Sequence, residues 1–178
     1  MKPTSKNSVR YLVQAAVIAA IYAVLTLLAS AMNLAYGPVQ FRISELLTVL
    51  PLFTPAAIPG LTIGCFLANL ASPFGPVDWM FGTAATFLAA LAVYALRRVT
   101  IKGIPFLAPI APVLCNAAVV GLELACFNDV GFGFANFSWV AFGYNALTVG
   151  LGELVVCYVL GLPFAVFLQK TKLTKKIL

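Results

Sequence analysis

The stretch Leu46-Leu47-Thr48-Val49-Leu50-Pro51-Leu52-Phe53-Thr54-Pro55-Ala56-Ala57-Ile58-Pro59-Gly60 decides how many times this chain crosses a membrane. It opens a run from 46 to 77 that holds no charged residue. Such a run is long enough for one kinked span or for a hairpin of two short ones, since a spanning helix needs about 20 apolar residues. Prolines at 51, 55 and 59 recur through its centre. Each lacks an N–H donor and disfavours helix in the residue before it, which favours the hairpin.

The basic residues decide the count. With two spans in this run, the N-terminal trio Lys2, Lys6 and Arg10, the cluster Arg97, Arg98 and Lys102, and the tail lysines 170, 172, 175 and 176 all fall on one side. That places ten of the chain's eleven basic residues together. A single span would put the 97–102 cluster opposite the N-terminus, against the rule that lysine and arginine collect on the cytoplasmic face. The expected fold is therefore an all-α membrane protein of six transmembrane helices with both termini cytoplasmic. Its spans are 11–34, 43–54, 56–71, 78–96, 104–127 and 139–168, in a single integral membrane domain over residues 1–178.

Composition agrees. Hydrophobic residues make up 62% of the 178 and charged residues 9%, too apolar for a water-soluble domain. A net charge of +6 could suggest nucleic acid, but no aqueous basic surface can be built from such a chain, so a nucleic-acid partner is not expected. The chain has no histidine, its four cysteines lack metal-ligand spacing, and no phosphate-binding loop motif occurs. An enzyme, a metal site and a bound cofactor are all unexpected, and the cysteines read as small buried hydrophobes.

Ionisable groups inside a bilayer cost roughly 3 kcal/mol or more and call for a partner or a task. Glu153 lies about midway along the sixth segment, behind Gly150-Leu151-Gly152, and Asn116 lies about midway along the fifth. The two are expected at similar depth, facing one pocket. Glu123 follows Asn116 by seven residues and returns to nearly the same helix face, and Asn145 lies about two turns before Glu153. Arg42 and Glu45 open the second segment, where helix capping and mutual pairing explain them as readily as ligand contact. Asn69, Asp78 and Trp79 read as interface anchors, and Gln14 as a snorkelling side chain. The loops 35–44, 72–77 and 128–138 fall outside. They are rich in glycine, proline and aromatics, as in Tyr36-Gly37-Pro38, which suits structured turns. On the first segment Ala15, Ala19 and Ala23 repeat every four residues, a small-residue ridge for close helix packing, either within the chain or against a partner. Gly60 and Gly64 form a shorter example.

The run Gly37-Pro38-Val39-Gln40-Phe41-Arg42-Ile43-Ser44-Glu45-Leu46-Leu47-Thr48-Val49-Leu50-Pro51, continued by Phe53-Thr54-Pro55-Ala56-Ala57-Ile58-Pro59-Gly60-Leu61, closely resembles the QueT family. Asp78 with Phe81-Gly82-Thr83, Ala111-Pro112-Val113-Leu114-Cys115-Asn116, and Gly152-Glu153 with Leu160-Gly161-Leu162-Pro163 extend the likeness from about Ala15 to Phe167. The resemblance implies a substrate-binding S component of an energy-coupling factor (ECF) importer in the bacterial inner membrane. Such a component captures a queuosine precursor, a 7-deazaguanine, in an outward-facing pocket. It works with a transmembrane coupling protein and two ATPases, and the alanine ridge of the first helix is the expected docking face. The motif positions carry substrate binding over to Gln40, Arg42, Glu45, Asn116 and Glu153. Glu123, Trp139 and Asn145 rest on topology alone. An S component for another flat vitamin, a small homo-oligomeric channel lined by Glu153, and a structural subunit tied together by its polar groups are the alternatives.

Overall fold

A computed structural model describes residues 5–36 and 39–171, with side chains from Ser8 onward. Gly37 and Pro38 of the first outer turn, Lys2, and the tail lysines 172, 175 and 176 lie outside the described residues. Among the described residues there are six α-helices: α1 Ser5–Ala31, α2 Ala57–Asn69, α3 Pro76–Ala95, α4 Ile110–Ala125, α5 Trp139–Val155 and α6 Leu162–Lys170. Three apolar helical stretches among the described residues are long enough to cross a bilayer: Ser8–Ala31, Pro76–Arg98 and the continuous rod Trp139–Lys170. Their outward faces are apolar, with Leu12, Val17 and Leu28 of α1 and Leu147, Leu151 and Val159 of the rod all exposed, as a lipid surround requires and water would not tolerate.

The opening stretch folds as a 3-10 helix, Ile43–Leu52, and not as an α-helical span. Pro51 removes a donor from its last turn, and the Thr48 hydroxyl donates to the Glu45 carbonyl at 2.6 Å, a short-range bond that favours the tighter winding. At roughly 2 Å per residue its ten residues rise about 20 Å, and the thirteen of α2 about the same at 1.5 Å per residue. The corner between them, at Pro55, sits beside the start of α1, where the Tyr11 hydroxyl donates to the Pro55 carbonyl at 3.4 Å. The two short helices therefore run as a hairpin.

Segment five also starts later than its charge pattern predicts, at Ile110 and not near 104. Ile101 and Ile104 exchange backbone hydrogen bonds across Lys102 and Gly103, both at positive φ, which makes a tight two-residue turn. Pro105 and Pro109 then delay the helix. In the rod, a π-helical turn, Val156–Gly161, separates α5 from α6. Pro163 follows it, and the wider turn relieves the clash a proline makes with the carbonyl four residues earlier.

The 3-10 helix is central. Ser44, Glu45, Leu47, Thr48, Val49, Leu50 and Pro51 are all buried, enclosed by α1, α2, α3, the π-turn and α6. Leu47 and Leu50 form one core with Ile18 and Tyr22 of α1, Ala57, Leu61 and Cys65 of α2, and Ala90 of α3. Around this core the helices α1 to α5 pack as sequential neighbours. A two-stranded hairpin, β1 Phe127–Asn128 and β2 Gly131–Phe132, links α4 to α5.

The alanine ridge of α1 packs against the chain's own glycines. A Cβ on Gly60 would stand 2.8 Å from the Ala15 carbonyl oxygen, and one on Gly64 at the same distance from that of Ala19. Ala15 and Ala19 are accordingly buried and Ala23 half-buried, so the expected docking face is largely covered by α2. Ala16 and Ala20, on the adjoining face, are exposed.

Alanine at Gly60 or Gly64 should cost about 1–3 kcal/mol, because the obstructing atom is backbone that cannot turn aside. Gly143, whose Cβ would meet nothing, is the control: its alanine variant should melt at or slightly above the parent temperature in detergent.

Candidate functional site

Of the chain's five acidic residues, four are buried: Glu45, Asp78, Glu123 and Glu153. They come from the 3-10 helix, α3, α4 and α5. All four lie within electrostatic reach of Arg42, the sole buried cation among the described residues. Arg42 precedes the 3-10 helix in an extended conformation that turns its side chain into the bundle. It pairs with Asp78 at 3.5 Å, donates from Nε to the Ala35 carbonyl at 3.4 Å, and lies 5.2 Å from the centre of the Tyr36 ring. Burial disfavours its charge, but its neighbours together, Asp78 first among them, outweigh that and raise the guanidinium's pKa above its ordinary value. Arg42 therefore stays charged at any working pH. Burial likewise pushes the Tyr36 hydroxyl up; that hydroxyl donates to the Ala68 carbonyl at 3.2 Å and holds the ring in place over Arg42.

Two lobes meet at Arg42. In the inner lobe, Tyr22 donates its hydroxyl to one oxygen of Glu45, whose second oxygen has no partner. The Cys157 thiol, one helical turn beyond Glu153, faces a carboxyl oxygen of Glu153 at 3.7 Å. Asn116 lies beside both Glu45 and Glu153 without completing a hydrogen bond of ordinary geometry to either, so its amide oxygen and nitrogen are both unpartnered. In the outer lobe, Asn69 donates to the Asp78 backbone carbonyl at 3.0 Å and approaches its carboxylate at 3.5 Å. Glu123 stands near Asp78 with neither of its oxygens partnered.

Every buried side-chain nitrogen or oxygen without a hydrogen bond among the described residues belongs to Arg42, Glu45, Asn69, Asp78, Trp79, Thr83, Asn116 or Glu123. An unmade hydrogen bond on a buried group costs about 1–3 kcal/mol, so a concentration of them at one end of the bundle marks a site built to be completed by a polar guest. Gln40 closes the inner lobe from the loop side. Its backbone carbonyl comes so near α5 that a Cβ on Gly152 would overlap it, and only glycine beside Glu153 permits the approach. The same end of the bundle carries a hollow of about 270 Å³ lined by Ser30, Asn33, Pro73 and the same Tyr36 whose ring Arg42 approaches.

The structure thus brings Gln40, Arg42, Glu45, Asn116, Glu123 and Glu153 into one cluster. It leaves two expected residues off it. Trp139 is 77% exposed and stacks edge-on with Phe137 and Phe142 at the start of α5. Asn145 is half-buried two turns above Glu153, and its backbone carbonyl accepts from Thr148. The expected pairing of Arg42 with Glu45 gives way to Arg42 with Asp78, because Glu45 turns inward to Tyr22. Asp78 and Asn69 are buried and bonded to one another, so neither is an interface anchor. Tyr22, Asp78, Asn69 and Cys157 are the cluster residues that sequence reasoning missed. The available signal was the count of charges: a buried arginine needs an acid, and Asp78, like Glu45, stands in the first turn of a helix at the same end of the bundle.

A family model described as QueT transporter matches residues 12–170. A curated relative, the queuosine precursor transporter QueT of Lactococcus lactis subsp. cremoris (strain MG1363), is 38% identical over 84 residues. The aligned part covers 47% of this chain and 49% of the relative, so it spans about half the length of each. No solved structure matches the chain.

Arg42→Met should be among the most damaging single substitutions, costing about 3–5 kcal/mol, since it strands Asp78 as an unpaired buried charge. Adding Asp78→Leu should recover a large part of that loss. Thermal melts of the two single variants and the double variant in detergent measure the coupling.

Proposed function

The chain belongs to the QueT transporter family, and from that premise we propose that it captures a queuosine precursor, a 7-deazaguanine, in the buried acid cluster. It acts as the S component of an energy-coupling factor importer. The cluster end faces outward and the basic end, carrying Arg97, Arg98, Lys102 and Lys170, faces the cytoplasm of a bacterial cell. The family makes the chain a transporter and not an enzyme, and its several apolar helices make it a multi-pass membrane protein.

One observation carries the binding chemistry: Asn116, 2% exposed, holds two unpartnered amide atoms beside two carboxyl groups. A deazaguanine presents a ring N–H and an exocyclic amine side by side, with a carbonyl next to them. A carboxylate accepts the donor pair through both oxygens and an amide N–H serves the carbonyl. Glu153 supplies the carboxylate, Asn116 the amide, and the free oxygen of Glu45 a further acceptor. Tyr22 and Cys157 hold the two acids in place. Above them Phe74, Phe81, Phe127, Phe132 and Phe134 form a continuous aromatic cluster across the hairpin, suited to covering a flat ring.

No chemistry is performed on the cargo. The chain has no phosphate-binding loop of its own, so the energy for release comes from ATPase subunits acting through a coupling membrane protein. With Ala15 and Ala19 covered by α2, the adjoining exposed face of α1 at Ala16 and Ala20 is the part of the ridge left for that partner. A homo-oligomeric pore lined by Glu153 has less support. That side chain is 2% exposed inside a single chain and does not reach a face where copies could meet.

The test is a direct titration of purified protein with 7-aminomethyl-7-deazaguanine, by calorimetry or tryptophan quenching. Saturable binding is expected, with none for thiamine or riboflavin. Glu153→Gln and Asn116→Leu should each weaken it about 10- to 100-fold, the loss of one charge-assisted or paired contact. Unchanged affinity in both variants removes the cluster from ligand recognition.

A further inference from the structure

We propose that Glu123 selects for a ligand that carries its own positive charge, by taking a primary ammonium group between the ligand ring and the hairpin end. The inference rests on the reading that the cluster holds a deazaguanine and adds which member of that class it takes.

The argument starts from charge. Glu123 is 1% exposed, and both of its carboxyl oxygens lack a hydrogen-bond partner. The other three buried acids each have an attachment within the chain: Glu45 to Tyr22, Asp78 to Arg42 and Asn69, Glu153 to Cys157. Arg42 is the cation within reach of Glu123, but it is committed to Asp78 and the Ala35 carbonyl. A buried carboxylate without a counter-charge is strongly disfavoured, and no cation among the described residues stands at contact distance from Glu123. A guest bearing an ammonium group supplies it.

Spacing agrees with charge. Glu123 follows Asn116 by seven residues on α4, so both project from nearly the same face, about 10 Å apart along the axis. A two-ring base whose polar edge sits on Asn116 and Glu153 directs its opposite edge along α4 toward Glu123. A one-carbon arm ending in an amine on that edge reaches toward the acid. A nitrile on the same edge offers only an acceptor to two acceptor oxygens.

The experiment compares 7-aminomethyl-7-deazaguanine with its neutral counterpart, 7-cyano-7-deazaguanine, on the full chain in detergent. The parent protein should favour the aminomethyl compound by about tenfold or more, and Glu123→Gln should reduce that ratio to about threefold or less. Glu123→Asp, which keeps the charge, should retain an intermediate preference, and it serves as the readout should the glutamine variant fail to fold. Equal affinity of the parent for both compounds overturns the inference while leaving the cluster as the site. So does a ratio that survives in Glu123→Gln with both affinities lowered together. Binding of neither compound by the parent overturns the functional reading itself, and this inference with it.

Discussion

One guanidinium surrounded by four carboxyl groups, inside a bundle whose outer faces meet lipid, is the constraint to which the rest of the architecture answers. In a bilayer there is no water to solvate a misplaced charge, so each member of the cluster must be held by protein or satisfied by a guest. That requirement explains why the acids come from four different elements. No single helix could converge them, and each element adds one carboxyl at the depth where Arg42 can be felt. It explains the local irregularities as well. The 3-10 winding at Ile43–Leu52 and the glycine at 152 bring backbone and side chains closer than two regular α-helices would allow.

The division into two lobes gives the cluster a sense of direction. Tyr22, Glu45, Asn116, Glu153 and Cys157 lie deep, where α1, the 3-10 helix, α4 and α5 meet. Asp78, Asn69 and Glu123 lie toward the hairpin. Arg42 joins the two, so disturbing either lobe is felt by the other through the one shared positive charge. The phenylalanines of the hairpin pack against Phe74 of the α2–α3 loop and Phe81 of α3 and add shape and apolar area without adding hydrogen-bonding demands.

Much of this was legible in the sequence, because charges are so sparse that each one constrains the fold. Glu153 and Asn116 stood out as expensive residues in apolar runs, with Glu123 on the same helix face as Asn116, whereas Glu45 read as a helix-start acid that capping could explain; all four are buried together. What the sequence hid was pairing. Tyr22 looks like an ordinary membrane aromatic until a carboxylate arrives 23 residues later in the chain. Asp78 resembles a helix-start acid, which it is, while its side chain also holds Arg42. Span lengths were hidden for another reason. Hydropathy registers apolar composition but not winding, so the 3-10 segment and the late start of α4 after Pro105 and Pro109 could not be told from full-length helices. The small-residue ridge of α1 was read as a docking face for a partner, but spacing alone does not name what packs there, and in the structure Gly60 and Gly64 of the same chain lie against Ala15 and Ala19.

The enclosed position of the 3-10 helix sets the order in which the molecule can be completed. Residues 43–52 leave the ribosome well before two of their walls, the π-turn and α6, are made. Until those walls arrive, Glu45 stands in a half-assembled hydrophobic bundle with one side uncovered. Early and late helices must therefore wait for one another during biogenesis, and a nascent chain stalled before residue 156 would present that open flank to whatever insertion machinery or quality-control protease holds it.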